Sequence, residues 1–236
     1  MLKPTDKKHY GPVQEIAQRL YYAITPQMKV LDIGPGTRPF MRADVFVDIS
    51  DKFPSVPKEK LVIANAAKGG LPFADKSFDF ITCRHVLEDL YDPFSLCKEM
   101  SRVGKAGYIE TPSPIAELCM GIDGDTADYR GYHHHRFMVW VCEQDRELRF
   151  VTKYPIVEHL DIKEDAIGGL LKPSAKYWNT YYPWHGNIRA RHIENGIDYD
   201  FWSEYHKVVG AAVLHSQEAT DAIWKKLAPK KDQHVE

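Results

Sequence analysis

VLDIGPGTRPF, residues 30–40, begins as a short apolar run, passes through Asp32 and turns at Gly34 and Gly36. An apolar run of this length is typical of a buried strand. Glycines directly after a strand let the backbone approach a ligand closely, because they carry no side chain. The stretch therefore predicts a buried strand with a ligand-binding turn at its carboxyl end.

Four further short runs have the composition of strands: residues 45–47, 61–64, 78–83 and 106–110. Asp92 and Pro93 are typical of a helix start, and Gly104 can end that helix. Apolar residues at helical spacing predict two more helices, over residues 13–24 and around 219–227. Strands that alternate with helices or loops are typical of an open parallel sheet covered on both faces. The sequence therefore predicts an α/β fold.

The strand rhythm is lost over residues 115–150, a stretch dense in His, Tyr, Asp and Gly. We interpret it as a lid-like segment inserted over the edge of the sheet. The later segments around 149–160 and 181–193 are strand-like again. The length of the chain favours one large domain. We therefore expect a single domain over residues 1–236 that carries this insertion.

The composition and charge of the chain restrict the kinds of molecule that it is expected to bind. The 236 residues include 31 basic and 33 acidic side chains, and the formal net charge of −2 does not favour nucleic acid or an anionic membrane. No apolar run is long enough to cross a bilayer, and no secretory signal is visible. The four cysteines are far apart, as in reduced cytoplasmic proteins. We expect a cytoplasmic enzyme that acts on a small molecule.

The glycine turn distinguishes between classes of nucleotide ligand. A dinucleotide-binding turn needs a third glycine, and Pro39 stands at that position. The Gly-Lys-Ser/Thr of a phosphate-binding loop is absent. The Asp32 carboxylate would repel a pyrophosphate but suits a ligand with an ammonium group, and Asp48 is placed to accept the hydroxyls of a ribose. S-adenosylmethionine (SAM) has an ammonium group, a ribose and no phosphate; the alternative is a tight turn without a ligand.

Three longer stretches extend this interpretation: VDIS at 47–50, LPFADKSFDFITCRHVLEDLYDP at 71–93 and EMSRVGKAGYIETPSP at 99–114. Together with VLDIGPG, they resemble the class I SAM-dependent methyltransferases, and most closely the type 11 methyltransferase domain group, over residues 28–114. The resemblance implies a Rossmann-like fold with a mostly parallel seven-stranded sheet, helices on both faces and one antiparallel strand near the C-terminus. It implies SAM as cofactor and S-adenosylhomocysteine as product.

The resemblance also implies cofactor contacts. The methionine end of SAM would contact Asp32, Gly34 and Gly36. Asp48 would hold the ribose hydroxyls. Asn65 would contact the adenine amino group, with the Ala66 amide nearby. Many relatives have Asp where this chain has Asn65, and an amide oxygen can accept the same hydrogen bond.

The chain departs from the family pattern after the first strand. Arg38 replaces the usual third glycine, and it either pairs with the methionine carboxylate of SAM or is a solvated surface residue. Only about ten residues, Gly34–Ala43, connect the first two strands, so the first helix is expected to be very short. Asp51 is therefore a second candidate for the ribose carboxylate.

His85 and Glu110 stand where the fourth and fifth predicted strands end, beside the expected cofactor. His85 is a candidate for the base that takes a proton from a hydroxyl acceptor, or else it lines the pocket. Glu110 is a candidate for acceptor binding or proton transfer.

YRGYHHHRF, residues 129–137, is the most unusual stretch of the sequence. If it is extended, His133 and His135 share one face and are candidate catalytic residues, and His134 points away. We expect residues 129–136 to lie over the carboxyl ends of the strands. The stretch is either a lid that recognises the acceptor or a polar loop packed by its aromatic side chains. Adjacent histidines without spaced partners are weak evidence for a metal, so no metal site is predicted.

Aromatic residues crowd residues 177–192, where they suit either packing on the sheet or the contact of a homodimer. Such side chains also suit a polyhydroxylated ring. The predicted activity is therefore methyl transfer to oxygen on a small polar acceptor, most plausibly a sugar hydroxyl or a glycan precursor. The alternatives are a methyltransferase-like scaffold without catalysis and a nucleotide-dependent oxidoreductase.

Overall fold

The computed structural model describes residues 16, 19–20, 23–52, 55–65, 68–122, 129–159, 175–194 and 200–227. In these ranges the strands are β1 (Val30–Ile33), β2 (Val45–Asp48), β3 (Leu61–Ile63), β4 (Phe78–Arg84), β5 (Gly104–Pro112), β6 (Phe137–Cys142), β7 (Glu147–Thr152), β8 (Asn179–His185) and β9 (Ala190–His192). The α-helices are α1 (Pro93–Val103), α2 (Pro114–Glu117) and α3 (Phe201–Leu227).

The main sheet has the strand order β3-β2-β1-β4-β5-β8. The first five strands are parallel, and β8 runs antiparallel to β5. The predicted α/β, Rossmann-like fold and its antiparallel strand near the C-terminus are confirmed. Within the described ranges this sheet has six strands, whereas the resemblance implies seven.

Both faces of the main sheet are covered, because alternate residues of β5 point to opposite sides. Ile109 packs in one cluster with Leu96 of α1. Tyr108, its neighbour, packs on the other side with Ile16 and Trp224, which come from the two ends of the chain. The predicted covering of both faces therefore holds.

Helix α1 begins and ends where its sequence predicts. The Asp92 carboxylate accepts hydrogen bonds from the backbone amides of Phe94 (3.1 Å) and Ser95 (3.0 Å), and Pro93 occupies the first turn. Gly104 follows the helix, and a Cβ there would lie 2.5 Å from Cδ1 of Ile81. A glycine is therefore needed where α1 turns into β5.

Regular secondary structure occupies part of residues 115–150, the stretch where the strand rhythm is lost. The antiparallel hairpin β6–β7 lies there, and β9 joins it through β7 to form a second, three-stranded sheet. All six residues of β6 are apolar, because Met138 and Trp140 pack against α3 while Val139 and Val141 enter the core of the main sheet. A strand buried on both faces has no polar alternation, which is why the sequence did not reveal it.

The connection between β1 and β2 differs from the very short helix predicted for it. Residues 34–44 are all described, and they form turns without a helix. Gly34 and Gly36 have positive φ angles of 64° and 51°, outside the right-handed helical region. Pro39 also lacks the amide that a helix would use.

The predicted terminal helices are present in the described residues. Ile16 and Leu20 have helical conformation, whereas Val13 lies outside the described residues. The final helix is longer than its apolar spacing suggested, since α3 begins at Phe201. Within the described ranges, no helix combines the length and the apolar character needed to cross a bilayer.

The aromatic side chains of β8 pack on the sheet of their own chain. Tyr181, Tyr182 and Trp184 are all buried. Of the two roles considered for residues 177–192, sheet packing accounts for these three rings.

Candidate functional site

A cleft of about 290 Å³ opens at the carboxyl ends of β1, β2, β3 and β4. Its walls are formed by Ile33, Gly34, Gly36, Val47, Asp48, Ile49, Ala64, Asn65, His85, Val86, Asp89, Leu90 and Leu96. The carboxyl ends of parallel strands are the usual place for a ligand in an open α/β sheet. The cleft is therefore the candidate site.

The two positions of the predicted turn require glycine for different structural reasons. A Cβ on Gly34 would lie 2.3 Å from Cγ2 of Val86, so only glycine lets β1 approach the loop after β4 this closely. A Cβ on Gly36 would meet nothing within 4 Å, and its need for glycine comes from its positive φ. Both residues line the cleft, and Gly36 leaves open space above its backbone.

Asp32 lies beneath the turn and is buried. Its Oδ2 accepts a hydrogen bond from the Phe40 amide at 2.7 Å, and its Oδ1 accepts one from the Thr82 hydroxyl at 2.6 Å. Burial raises the pKa of Asp32 above its ordinary value, although the Arg84 charge and the two hydrogen bonds oppose this shift. The carboxylate therefore ties the turn to β4.

Asp48 and Asn65 stand at the ends of neighbouring strands, as expected. Asp48 is half-buried at the cleft wall, and its Oδ1 accepts the Ser50 amide at 3.1 Å. Ile49, beside it, also lines the cleft although its side chain is 73% exposed. Asn65 is exposed at the cleft, and Ala66 lies outside the described residues. A carboxylate, an apolar side chain and a side-chain amide, from Asp48, Ile49 and Asn65, thus lie at one end of the cleft.

Arg38 and Asp51 are exposed, and neither belongs to the cleft wall. The backbone carbonyl of Arg38 accepts a hydrogen bond from Nη2 of Arg84. Arg84, the last residue of β4, therefore connects the turn after β1 to the strand beside it. The sequence indicated no role for Arg84, because its contacts form only when the strands are paired.

His85 lies at the other end of the cleft, between two buried carboxylates. Its Nε2 is 3.2 Å from Oε1 of Glu110, and its Nδ1 is 3.5 Å from Oε1 of Glu88. Burial lowers the pKa of His85, but hydrogen bonds to Glu110 and Glu88 and their charges outweigh burial, and the pKa rises to about 9. His85 therefore holds a proton at neutral pH, and its two N–H groups face the two carboxylates.

We expect the His85 ring to titrate near pH 9 in the folded protein. The folded pKa of about 9 exceeds the ordinary value of 6.5, so the stabilisation from this proton is complete below pH 6.5 and disappears as the pH rises through 9. Glu110→Gln should lower this pKa while Glu88 and the nearby Asp89 remain. NMR titration of the His85 ring measures the pKa in the parent and in Glu110→Gln, and the signal that disappears in His85→Gln assigns the ring. A midpoint near 6.5 in the parent contradicts the expectation.

Glu110 is completely buried behind His85. Its carboxylate also accepts hydrogen bonds from the Tyr108 hydroxyl and, at 3.4 Å, from the side-chain amide of Asn179. These partners come from β5 and β8, so the central strands hold Glu110 in place. Glu110 does not line the cleft, but it contacts His85, which does.

The histidine stretch packs against the turn that follows β4. The Arg136 amide donates to the Glu88 carbonyl at 2.8 Å, and the Arg136 guanidinium stacks over the Tyr91 ring at 3.5 Å. Residues 133 and 134 form a turn rather than an extended strand. The expected alternation of the three histidines is therefore wrong: His133 is exposed, and His135 is buried.

Each histidine has a different environment. Nδ1 of His133 lies 2.9 Å from the Tyr129 hydroxyl. Nδ1 of His135 lies 2.6 Å from Oε1 of Glu117, whose Oε2 pairs with Nζ of Lys153 at 2.9 Å. Burial opposes the charge on both members of the His135–Glu117 pair, but their mutual interaction outweighs it, raising the pKa of the histidine and lowering that of the glutamate.

Asp89 is a charged residue of the cleft wall that sequence reasoning missed. It follows His85 by four positions in the stretch HVLED, and a short turn over Leu87–Asp89 brings it back to the cleft. Burial, followed by the Glu88 charge, raises the pKa of Asp89 to about 6, although the His135 charge opposes the shift. The available signal was the carboxylate pair just after the strand-ending histidine.

Comparison with known proteins gives one family match. Residues 31–109 match a family model described as a methyltransferase domain, of the type 11 group. No curated protein sequence matches the chain.

Three solved structures illustrate what the chain is similar to. The YcgJ protein of Bacillus subtilis is 22% identical over 42% of this chain and 50% of its own, with a TM-score of 0.36. A SAM-dependent methyltransferase of Thermotoga maritima is 24% identical over 40% and 48%, with a TM-score of 0.32. An S-adenosylmethionine dependent methyltransferase of Mesorhizobium loti is 16% identical over 58% and 63%, with a TM-score of 0.35. The chain thus spans about half the length of the first two.

The family model covers β1 to most of β5, the part of the chain that forms the cleft. It confirms the resemblance seen in the sequence, and S-adenosylmethionine is the cofactor of this family. Residues 31–109, about a third of the chain, match the methyltransferase domain of the type 11 group.

Proposed function

We propose that the chain binds SAM in the cleft and transfers its methyl group to a hydroxyl of a small polar acceptor, such as a sugar or a glycan precursor. The observation that carries this proposal is the composition of the cleft, which joins an open glycine turn, a carboxylate and a polar wall at the ends of four parallel strands. Each part matches a different part of the reactants.

Asp48, Ile49 and Asn65 form the end of the cleft that suits a nucleoside. Asp48 offers carboxylate oxygens to two ribose hydroxyls, and hydrogen bonds to a charged acceptor are the strong ones. The exposed Ile49 side chain would offer an apolar surface to a flat purine ring. Asn65 would accept a hydrogen bond from the adenine amino group, and Ala66 would donate its amide.

Gly34 and Gly36 suit the methionine end of the cofactor, because the space above the Gly36 backbone is open. Asp32 acts here as a positioning residue that fixes the turn through Phe40 and Thr82. Arg38 is exposed at the same turn, outside the cleft wall, so it would meet the carboxylate of the ligand only if its side chain reached over the turn.

His85 and Asp89 form the polar wall that would face the acceptor. The protonated His85 ring places a positive charge at this wall, and Glu110 and Glu88 hold its two N–H groups from below. When bound, SAM supplies an activated methyl group: the acceptor oxygen bonds to the methyl carbon, the carbon–sulfur bond gives both electrons to sulfur, and the hydroxyl proton leaves to solvent. The contribution of the protein is alignment of the oxygen with the methyl group.

Titration calorimetry with SAM and with S-adenosylhomocysteine tests the cofactor half of this proposal. We expect both ligands to bind and a nicotinamide dinucleotide to give no heat, because the turn lacks the third glycine. A cofactor at 100 times its dissociation constant should also stabilise the fold by about 2.7 kcal/mol. Binding of the dinucleotide without either SAM ligand contradicts the proposal.

A screen of hydroxyl-bearing metabolites with labelled SAM, followed by mass spectrometry of the product, tests the acceptor half. We expect the label on oxygen of a sugar-like compound. Label on nitrogen or carbon corrects the acceptor class. SAM binding without transfer to any compound supports the scaffold alternative instead.

A further inference from the structure

Asp89, at the wall of the cleft, forms a group of side chains with His134 and His135. Oδ1 of Asp89 lies 3.9 Å from Nε2 of His134 and 3.8 Å from Nε2 of His135. One potential ligand atom from each of the three side chains lies within 4.8 Å of those of the other two. Two imidazoles and one carboxylate thus converge on one point from two segments that are 45 residues apart.

The distances within this group are too long for hydrogen bonds, which in proteins seldom exceed about 3.2 Å. Oδ1 of Asp89 is buried, and among the described residues it has no hydrogen-bond partner. Two ligand atoms on one tetrahedral zinc ion lie roughly 3.3–3.5 Å apart, given the usual zinc–ligand bond lengths. Each Asp89–histidine distance therefore needs to close by only roughly 0.5 Å.

The remaining adjustment falls on His134. Its side chain is 53% exposed, so its ring has room to rotate toward the other two ligand atoms. The rings of His134 and His135 already meet edge to face, with centroids 4.5 Å apart. Asp89 and His135 are held by the packing of their segments and need to move little.

The outer contacts of His135 provide an independent indication. Nδ1 of His135 faces Glu117 at 2.6 Å, and Lys153 holds that glutamate as a carboxylate from the other side. Metal-binding histidines almost always donate their second ring N–H to such a carboxylate, which fixes the ring and directs the other nitrogen at the metal. In this chain that other nitrogen, Nε2, is directed toward Asp89.

We propose that Asp89, His134 and His135 bind a divalent transition-metal ion of the Zn²⁺ class. Two imidazoles and a carboxylate are a ligand set that such ions accept while keeping a position open. Because Asp89 lines the cleft, an ion that it helps to hold would lie at the edge of the space that His85 also lines. There the ion would take an oxygen of the acceptor; this use rests on the proposed function, whereas the binding of metal does not.

Titration calorimetry with Zn²⁺ alone, and visible absorption of the Co²⁺ form, test the site in the full chain without an added histidine tag. We expect one Zn²⁺ per chain. Asp89→Asn and His134→Ala should each weaken Zn²⁺ binding about tenfold or more, since each removes one ligand of a three-ligand set. Both side chains are partly exposed, so both variants should fold, as circular dichroism checks.

His133→Ala is the matched control. It removes an adjacent histidine whose Nδ1 contacts Tyr129, and it should keep the parent affinity for Zn²⁺. The absence of Zn²⁺ binding in the parent overturns the proposal, as does parent affinity in either ligand variant or an equal loss in the control. Titration of the same samples with SAM separates this outcome from failure of the proposed function, because the metal site needs no cofactor.

Discussion

Replacing Asp48 with alanine should weaken SAM binding by roughly 10- to 100-fold, because hydrogen bonds to a charged group contribute about 1.5–3 kcal/mol. Asp48 is half-buried at the end of β2, where its carboxylate would accept two ribose hydroxyls. Its contact within the chain is the nearby Ser50 amide, so the substitution should leave the fold in place. Titration calorimetry of the parent and the variant measures the effect.

Asp51→Ala is the matched control for this substitution. Asp51 is an exposed carboxylate three residues further along the chain, and it does not belong to the cleft wall. Its loss should leave the affinity for SAM close to that of the parent. If Asp51→Ala caused the larger loss, the ribose contact would belong to Asp51, the second candidate from the sequence.

Asp32→Ala should lower the free energy of unfolding by roughly 2–6 kcal/mol, because two buried donors lose their short hydrogen bonds to the carboxylate, at about 1–3 kcal/mol each. The donors are the Phe40 amide and the Thr82 hydroxyl. The Thr82 hydroxyl keeps only a long contact of 3.4 Å to the Leu31 carbonyl. Water cannot replace the carboxylate at a position that is 1% exposed. Urea unfolding of the parent and the variant measures the loss.

Two further variants test whether the burial of Asp32 causes the expected loss of stability. Asp32→Asn keeps one acceptor oxygen and the shape of the side chain, so it should cost less than Asp32→Ala. Asp44→Ala removes a carboxylate that also accepts a strand amide, from Val30 at 2.8 Å, but Asp44 is 45% exposed and should cost less. An Asp44→Ala loss as large as that of Asp32→Ala contradicts the explanation.

The strand positions and the glycine turn were predictable because their signals are local. The apolar run Val30–Ile33 buries every residue, and it ends where Gly34 opens the turn. Helix α1 is likewise specified by residues within it or next to it, the N-cap Asp92 and the apolar face that it buries. Carboxyl ends of parallel strands meet at one edge of a sheet, so these local signals also predicted where a ligand would bind.

The second sheet was not predictable from local patterns. β6 is buried on both faces, so polar and apolar residues do not alternate along it. β9 has only three residues and pairs with β7, which lies some forty positions earlier in the chain. Such pairing depends on contacts that no short window of sequence contains.

Sequence alone determined the α/β class, the strand that contains Asp32, the turn at Gly34 and the resemblance to methyltransferases, because each depends on residues that are neighbours along the chain. Tertiary structure alone decided which charged side chains meet. It buried Asp32 beneath the turn, placed His85 between Glu88 and Glu110, and brought Asp89 to His134 and His135. The physical reason is that burial and charge contacts set the chemistry of these groups, and both arise only when distant segments pack together.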